Sequence, residues 1–143
     1  MTVKSILAEK GTDVFTIAPN RPLSEAVHTL AVHKIGAIVV TRGEAKIAGI
    51  ISERDIVRAL AAGGPDLLSK PVSFAMTSKV KVCHEGNTVH DVMEIMTEGR
   101  FRHLPVERDG RLVGLISIGD VVKRRIQEVE KEAEEIRTYI ATA

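Results

Sequence analysis

The chain repeats itself once, and that repeat constrains the fold more than any other feature of the sequence. Gly49-Ile50-Ile51-Ser52-Glu53-Arg54-Asp55-Ile56-Val57-Arg58 recurs as Gly114-Leu115-Ile116-Ser117-Ile118-Gly119-Asp120-Val121-Val122-Lys123, at a constant offset of 65. Upstream, the stretch from Val14 to Val40 matches that from Val80 to Val106 at an offset of 66. Identity there is low, but apolar positions coincide: Leu23 with Val89, Ala26 with Val92, Val27 with Met93, Leu30 with Met96 and Ile38 with Leu104. The one-residue change of offset falls in the hairpin between the two matched blocks.

Each copy reads as β-α-β-β-α. A short extended piece (Val14–Ile17, Val80–Cys83) precedes apolar residues at helical spacing: Ala26, Val27, Leu30 and Ala31, then Val92, Met93, Ile95 and Met96. Ser24 beside Glu25 reads as the start of the first of these helices. Two strands rich in branched aliphatics follow, Ala37–Val40 with Ile47–Ile51 and His103–Val106 with Leu112–Ile116, joined by polar turns of which Asp109-Gly110 is a strong hairpin signal. Each second strand ends at a serine placed to cap the next helix. Gly63-Gly64-Pro65 stops the first copy's last helix, and Pro71 to Met76 reads as a helical turn. One copy alone, with three short strands and two helices, cannot bury its own apolar faces. The expectation is a single α/β (α+β) domain over 1–143, with copies at 12–61 and 79–125 related by a pseudo-twofold axis, a connector at 62–78 and a helical extension at 126–143.

Composition narrows the function classes. Twenty basic and nineteen acidic residues leave a formal charge of +1, and only three Phe and one Tyr are present. Neither a dense phosphate-backbone surface nor a stacking platform for nucleic acid is expected from that balance. The single cysteine, Cys83, has no partner for an internal disulfide, and no apolar run approaches a membrane span, so a cytoplasmic protein without a membrane segment is expected.

The paired Gly-Ile-Ile-Ser-Glu-Arg-Asp-Ile-Val and Gly-Leu-Ile-Ser-Ile-Gly-Asp-Val-Val, with Arg102-His103-Leu104-Pro105-Val106 between them, resemble a tandem CBS (cystathionine-β-synthase-type) domain pair over about residues 1–125. The resemblance implies a regulatory module that binds adenosine-containing ligands (AMP, ADP, ATP, NAD(H) or S-adenosylmethionine) in clefts between the copies. It also implies a homodimer and an effector protein that the sequence does not identify. Following the family pattern, one cleft would combine Ser117 and Asp120 with Phe15, Thr16, Ile35, Gly36 and Arg102 or His103. The other would combine Ser52, Arg54 and Asp55 with Lys81, Val82 and Arg102. Gly36 and Ala37 hold in the first copy the places of Arg102 and His103 in the second, so the clefts are chemically unequal.

The residues suit such ligands on physical grounds as well. Ser52 and Ser117 fall at strand-to-helix junctions, where free N–H groups and the helix dipole favour a phosphate. Asp55 and Asp120, three residues on, are carboxylates able to accept both ribose hydroxyls. Gly49 and Gly114 permit close approach of a base or of neighbouring backbone. The plainer alternative is that Ser and Asp only cap their helices.

Other readings carry less. Ser117, Asp120 and His103 invite comparison with a hydrolase triad, but no nucleophile-elbow motif surrounds the serine, and its Ser–Asp spacing recurs in a copy lacking the histidine. No catalytic residue is therefore assigned. Cys83-His84 with His90 lacks any metal-ligand pairing, and Cys83 matches Ile17, which suggests a buried apolar role. Beyond Lys123, Ile126, Val129, Ala133, Ile136 and Ile140 form a narrow stripe at 3,4 spacing on a charged helix. That stripe either packs on its own domain or serves dimerisation or a partner.

Overall fold

The computed structural model describes residues 1–142, so Ala143 of the expected helical extension lies outside the described residues. Ten regular elements run in the order α1 (Val3–Lys10), β1 (Thr16–Ile17), α2 (Leu23–His33), β2 (Ala37–Arg42), β3 (Lys46–Ser52), α3 (Glu53–Gly63), α4 (Val89–Gly99), β4 (His103–Arg108), β5 (Arg111–Ser117) and α5 (Ile118–Thr142). Two 3-10 turns, Pro65–Ser69 and Val72–Phe74, lie in the connector. The strands form one sheet in the order β1-β2-β3-β5-β4. The antiparallel hairpins β2–β3 and β4–β5 meet edge to edge, where Lys46 pairs with Arg111.

The hairpins explain the change of offset. Gly43, Glu44 and Ala45 connect β2 to β3, whereas Asp109 and Gly110 alone connect β4 to β5. Both Asp109 (φ 53°) and Gly110 (φ 77°) take the left-handed conformation that a two-residue hairpin turn requires.

Two cores lie under the two halves. Leu23, Ala26, Leu30, Ile38, Val40, Ile51 and Ile56 form the first, and Val89, Val92, Met96, Leu104, Val106, Ile116 and Val121 form the second with Cys83. Each is completed by a segment from elsewhere in the chain. α1 places Val3, Ile6 and Leu7 in the second core, while Leu67 and Val72 of the connector enter the first. The backbone repeats this exchange. The Val3 N–H donates to Asn87 O (2.9 Å) and the Val89 N–H to Met1 O (3.1 Å). In the first half the Val72 N–H donates to Arg21 O (2.7 Å) and the Leu23 N–H to Lys70 O (2.8 Å).

Two expectations need correction, and one element is new. Ser24 does not start α2: Pro22 is the cap residue and makes no side-chain cap bond, because the Lys70 carbonyl already takes the first N–H. The second copy's capping residue is Thr88, in a reciprocal box with Asp91. Val80–Cys83 is not a strand; Cys83 alone makes an isolated parallel bridge to Val106. Finally, the helix α1 was unforeseen. Its start is held by Thr2, whose side chain accepts from the Ser5 N–H.

The glycines at equivalent places in β3 and β5 are explained by protein neighbours. A Cβ added at Gly49 would lie 2.7 Å from Thr77 O, and one at Gly114 would lie 2.7 Å from Leu7 Cδ2.

Candidate functional site

Ser52 and Ser117 end their strands and begin α3 and α5, and the two junctions match atom for atom. The Ser52 N–H and Oγ both donate to Asp55 Oδ2 (2.9 Å each), and the Asp55 N–H returns to Ser52 Oγ at 3.3 Å. The Ser117 N–H and Oγ donate to Asp120 Oδ2 (2.9 Å each), with the Asp120 N–H returning at 3.2 Å. Backbone bonds pin each helix start to the residue just before the other strand of its hairpin: the Glu53 N–H donates to Gly36 O (3.0 Å) and the Ile118 N–H to Arg102 O (2.8 Å). The capping role is therefore realised in both copies. Any ligand role is additional to it, and a carboxylate has lone pairs left for one.

The junctions differ in what reaches their carboxylates. Thr77 Oγ1 donates to Asp55 Oδ1 at 3.3 Å, a neutral and long contact. Lys10 Nζ instead reaches Asp120 Oδ2 at 2.6 Å and the Leu115 carbonyl at 2.8 Å. Burial pushes the Asp120 carboxyl up, but the Lys10 ammonium and the Ser117 N–H outweigh it, and the group is held below the ordinary carboxylate range.

A cleft of about 490 Å³ opens where α3 begins. It is lined by Gly36, Ser52, Glu53, Arg54, Asp55, Arg58, Thr77, Val80, Lys81, Arg100, Phe101, Arg102 and His103, among others. Five of its residues are cationic (Arg54, Arg58, Lys81, Arg100, Arg102) against two carboxylates, so the cleft favours an anion. The volume lies within the range of small-molecule pockets. His103 is half-buried at its edge; burial, followed by the charge of Lys10, keeps its imidazole below the usual histidine range.

The structure thus brings Ser52, Arg54, Asp55, Lys81 and Arg102 together as one set, without Val82, whose place is taken by Val80. Gly36 and His103, expected beside Ser117 and Asp120, line this same cleft; a Cβ on Gly36 would sit 3.3 Å from His103 Cε1. Asp120 lines a separate cavity of about 150 Å³ with Ile6, Glu9, Lys10, Lys123, Arg124 and Gln127. Phe15, Thr16 and Ile35 line neither of these two cavities. Phe15 stacks on His33 with ring centroids 4.0 Å apart, Thr16 pairs with Val39 in the sheet, and Ile35 packs on the first core. Ala37 is buried opposite Ser52 in the β2–β3 ladder.

Sequence reasoning missed Lys10, Arg58, Thr77, Arg100 and Phe101. Arg58 stands one turn after Arg54, a spacing that puts both on one helix face. Arg100 takes the left-handed conformation at the end of α4 (φ 56°), as Lys34 does at the end of α2 (φ 53°), an equivalence visible at the offset of 66.

Cys83 is fully buried, and burial pushes its thiol up to about 12. Among the described residues no group of three or more His, Cys, Asp or Glu side chains could hold a metal, and no helix is long and apolar enough to cross a membrane.

Two α/β halves that share one sheet, with matching Ser–Asp helix starts of which the first faces a polar cleft, define a tandem-repeat cleft module. The chain belongs to the CBS domain family: the family's pattern matches residues 3–62 and 72–126. It is similar to a CBS-domain containing protein from Agrobacterium tumefaciens, with 52% identity, a TM-score of 0.84, and coverage of 87% of this chain and 99% of that one. It is also similar to the mitochondrial CBS domain-containing protein CBSX3 of Arabidopsis thaliana, 37% identical over 120 residues, which are 81% of this chain but 58% of the plant protein. A CBS domain protein of Pyrobaculum aerophilum, solved in complex with AMP, is 26% identical with a TM-score of 0.75, covering 84% of this chain and 89% of that one.

Proposed function

We propose that the chain is a non-catalytic regulatory module that binds an adenosine-containing nucleotide in the cleft at the start of α3. The observation that carries this reading is the placing of Asp55 beside five cations in one cleft of about 490 Å³. A nucleotide needs a carboxylate for its ribose and positive groups for its phosphates, and the two types of group meet here. The phosphate side rests on the cations, since the Ser52, Glu53 and Asp55 N–H groups already have partners within the fold. The AMP complex of the Pyrobaculum relative supports the same class of ligand. Ser117 Oγ donates to Asp120 in its own helix cap, the same role that Ser52 Oγ has towards Asp55.

AMP, ADP, ATP and NAD(H) all present that combination of ribose and phosphate, and occupancy would report the cell's energy or redox state to an effector protein. Such coupling requires the ligand to prefer one of two states of the module, typically by about 1–3 kcal/mol. The test is a thermal-shift panel of the purified chain against AMP, ADP, ATP, NAD, NADH and S-adenosylmethionine. A ligand at one hundred times its dissociation constant adds about 2.7 kcal/mol of stability, a rise of several degrees. No rise with any of the six at millimolar concentration removes the nucleotide reading. The exposed apolar stripe of α5 would then favour an interaction scaffold with vestigial clefts.

A further inference from the structure

Among the described residues, the far half of α5 has no partner within its own chain. Its root is clamped: Val121 is buried, and Arg124 reaches Glu9 (3.0 Å) and the Ser5 carbonyl (3.1 Å). From Val129 to Thr142 every residue except Ala133 is exposed. The apolar stripe does not fold back: Ile126 is 53% exposed, Ile136 59% and Ile140 69%. A free helix of this length is marginal in water, and an apolar seam on it adds a cost that only a second surface removes.

The seam runs Val122, Ile126, Val129, Ala133, Ile136, Ile140, alternating steps of 4 and 3, which is the core pattern of a two-stranded coiled coil. Val122 is itself 45% exposed, so the seam is continuous onto the body. In heptad terms Ile126, Ala133 and Ile140 take a, and Val122, Val129 and Ile136 take d. Lys123, Glu130 and Arg137 then flank the seam at e, and Arg125 and Glu132 flank it at g. Charge decides the orientation. In a parallel pair each g faces the next e of the other helix, which sets Arg125 against Glu130 and Glu132 against Arg137, all attractive. In an antiparallel pair e faces e and g faces g, which sets Lys123 against Arg137, Glu130 against Glu130 and Glu132 against Glu132, all repulsive. Within the chain Arg125 and Arg137 make only exposed i,i+3 pairs with Glu128 (3.3 Å) and Glu134 (3.8 Å), which are weak enough to be exchanged.

We infer that two copies of this chain associate through α5 as a parallel, in-register coiled coil over about residues 122–140. The inference is independent of the nucleotide reading.

Disulfide trapping of the full chain tests it. Cys83 stays in place, since it is fully buried and does not enter exchange. Ile126→Cys and Ile136→Cys, each alone, are expected to cross-link to themselves under mild oxidation, because identical seam positions face each other only in a parallel pair. In sedimentation, Ile136→Asp is expected to raise the dimer dissociation constant roughly 10- to 100-fold, as expected for loss of a buried isoleucine. Glu130→Arg should weaken the dimer, and Arg125→Glu added to it should restore it, which separates loss of pairing from loss of folding. Cross-linking only in a mixture of the two cysteine variants would mean an antiparallel pair and would overturn the inference. So would a chain monomeric at all concentrations, a dimer that Ile136→Asp leaves intact, or no rescue by the charge exchange.

Discussion

Lys10 Nζ lies 2.6 Å from Asp120 Oδ2, and that ion pair ties the N-terminal helix to the first turn of the last one. The same ammonium also holds the Leu115 carbonyl, so it closes the second Ser–Asp junction in a way that Thr77 does not close the first. The two Ser–Asp junctions are alike in their caps and unlike in what competes for their carboxylates.

A linkage experiment follows from that pair. Asp120 titrates below its ordinary value in the folded chain, so its contribution to stability is fully present above about pH 4 and is lost as pH falls through the lower, folded value. Both side chains are partly exposed, which limits the pair to about 0.5–1 kcal/mol. Lys10→Met is expected to lower stability by that amount at pH 7, and the difference from the native chain should shrink below pH 4. Denaturant titrations at pH 7 and pH 3 measure both.

The carboxylates should also differ in ligand binding. Asp55→Ala is expected to weaken an adenosine nucleotide at least ~10-fold, the loss of a charged hydrogen-bond acceptor for the ribose. Asp120→Ala should leave that affinity within about twofold, because its carboxylate lines the other cavity. Calorimetric titration gives both numbers. Equal losses from the two variants would contradict the assignment of the cleft.

Ribose and phosphate roles separate by choice of ligand. Arg102→Ala and Lys81→Ala are expected to weaken AMP severalfold while leaving adenosine, which carries no phosphate, nearly unchanged. The AMP affinity of the native chain should fall with added salt more steeply than that of adenosine. Parallel titrations with the two ligands at two ionic strengths are sufficient to show it.

Two glycines at equivalent positions should respond unequally to alanine. At Gly49 the new methyl meets the Thr77 backbone oxygen at 2.7 Å, and that oxygen is fixed by its bond from the Ile50 N–H. At Gly114 the obstacle is the end of the Leu7 side chain, which can turn away. Gly49→Ala is expected to cost about 1–3 kcal/mol and Gly114→Ala less, as read by unfolding midpoints.

Cys83 belongs to the second core, not to any site. Cys83→Ser places a hydroxyl among Val89, Val106 and Ile116 and is expected to cost about 1–3 kcal/mol. The native thiol, pushed up to about 12 by burial, should react with a thiol reagent only on unfolding.

The repeat unit was legible in the sequence because aliphatic periodicity and a duplicated Ser–Asp pair set strands, helices and junctions together. Cys83 could be read as core from its match to Ile17. What could not be read depended on contacts between distant segments. α1 has no counterpart at the offset of 66 and too short an apolar face to stand out, so Lys10 stayed out of view. Ser24 looked like a cap only because nothing in the sequence reveals that the Lys70 carbonyl reaches the Leu23 N–H. Gly36 and His103 lie together on the side of Ser52 although β2 and β4 are not neighbours in the sheet, a closeness that only tertiary packing sets. The cations Arg58 and Arg100 lie on helix ends whose direction only packing decides.

The crossing of α1 to the second half, and of Leu67 and Val72 to the first, amounts to an arm exchange completed inside one polypeptide. Each half keeps its neighbour's plug, so neither can open without uncovering the other, and the chain should melt as a single unit. A nick in the loop after Gly63 would cut the chain but not the exchange: the two fragments would stay locked, each holding a piece of the other's interior.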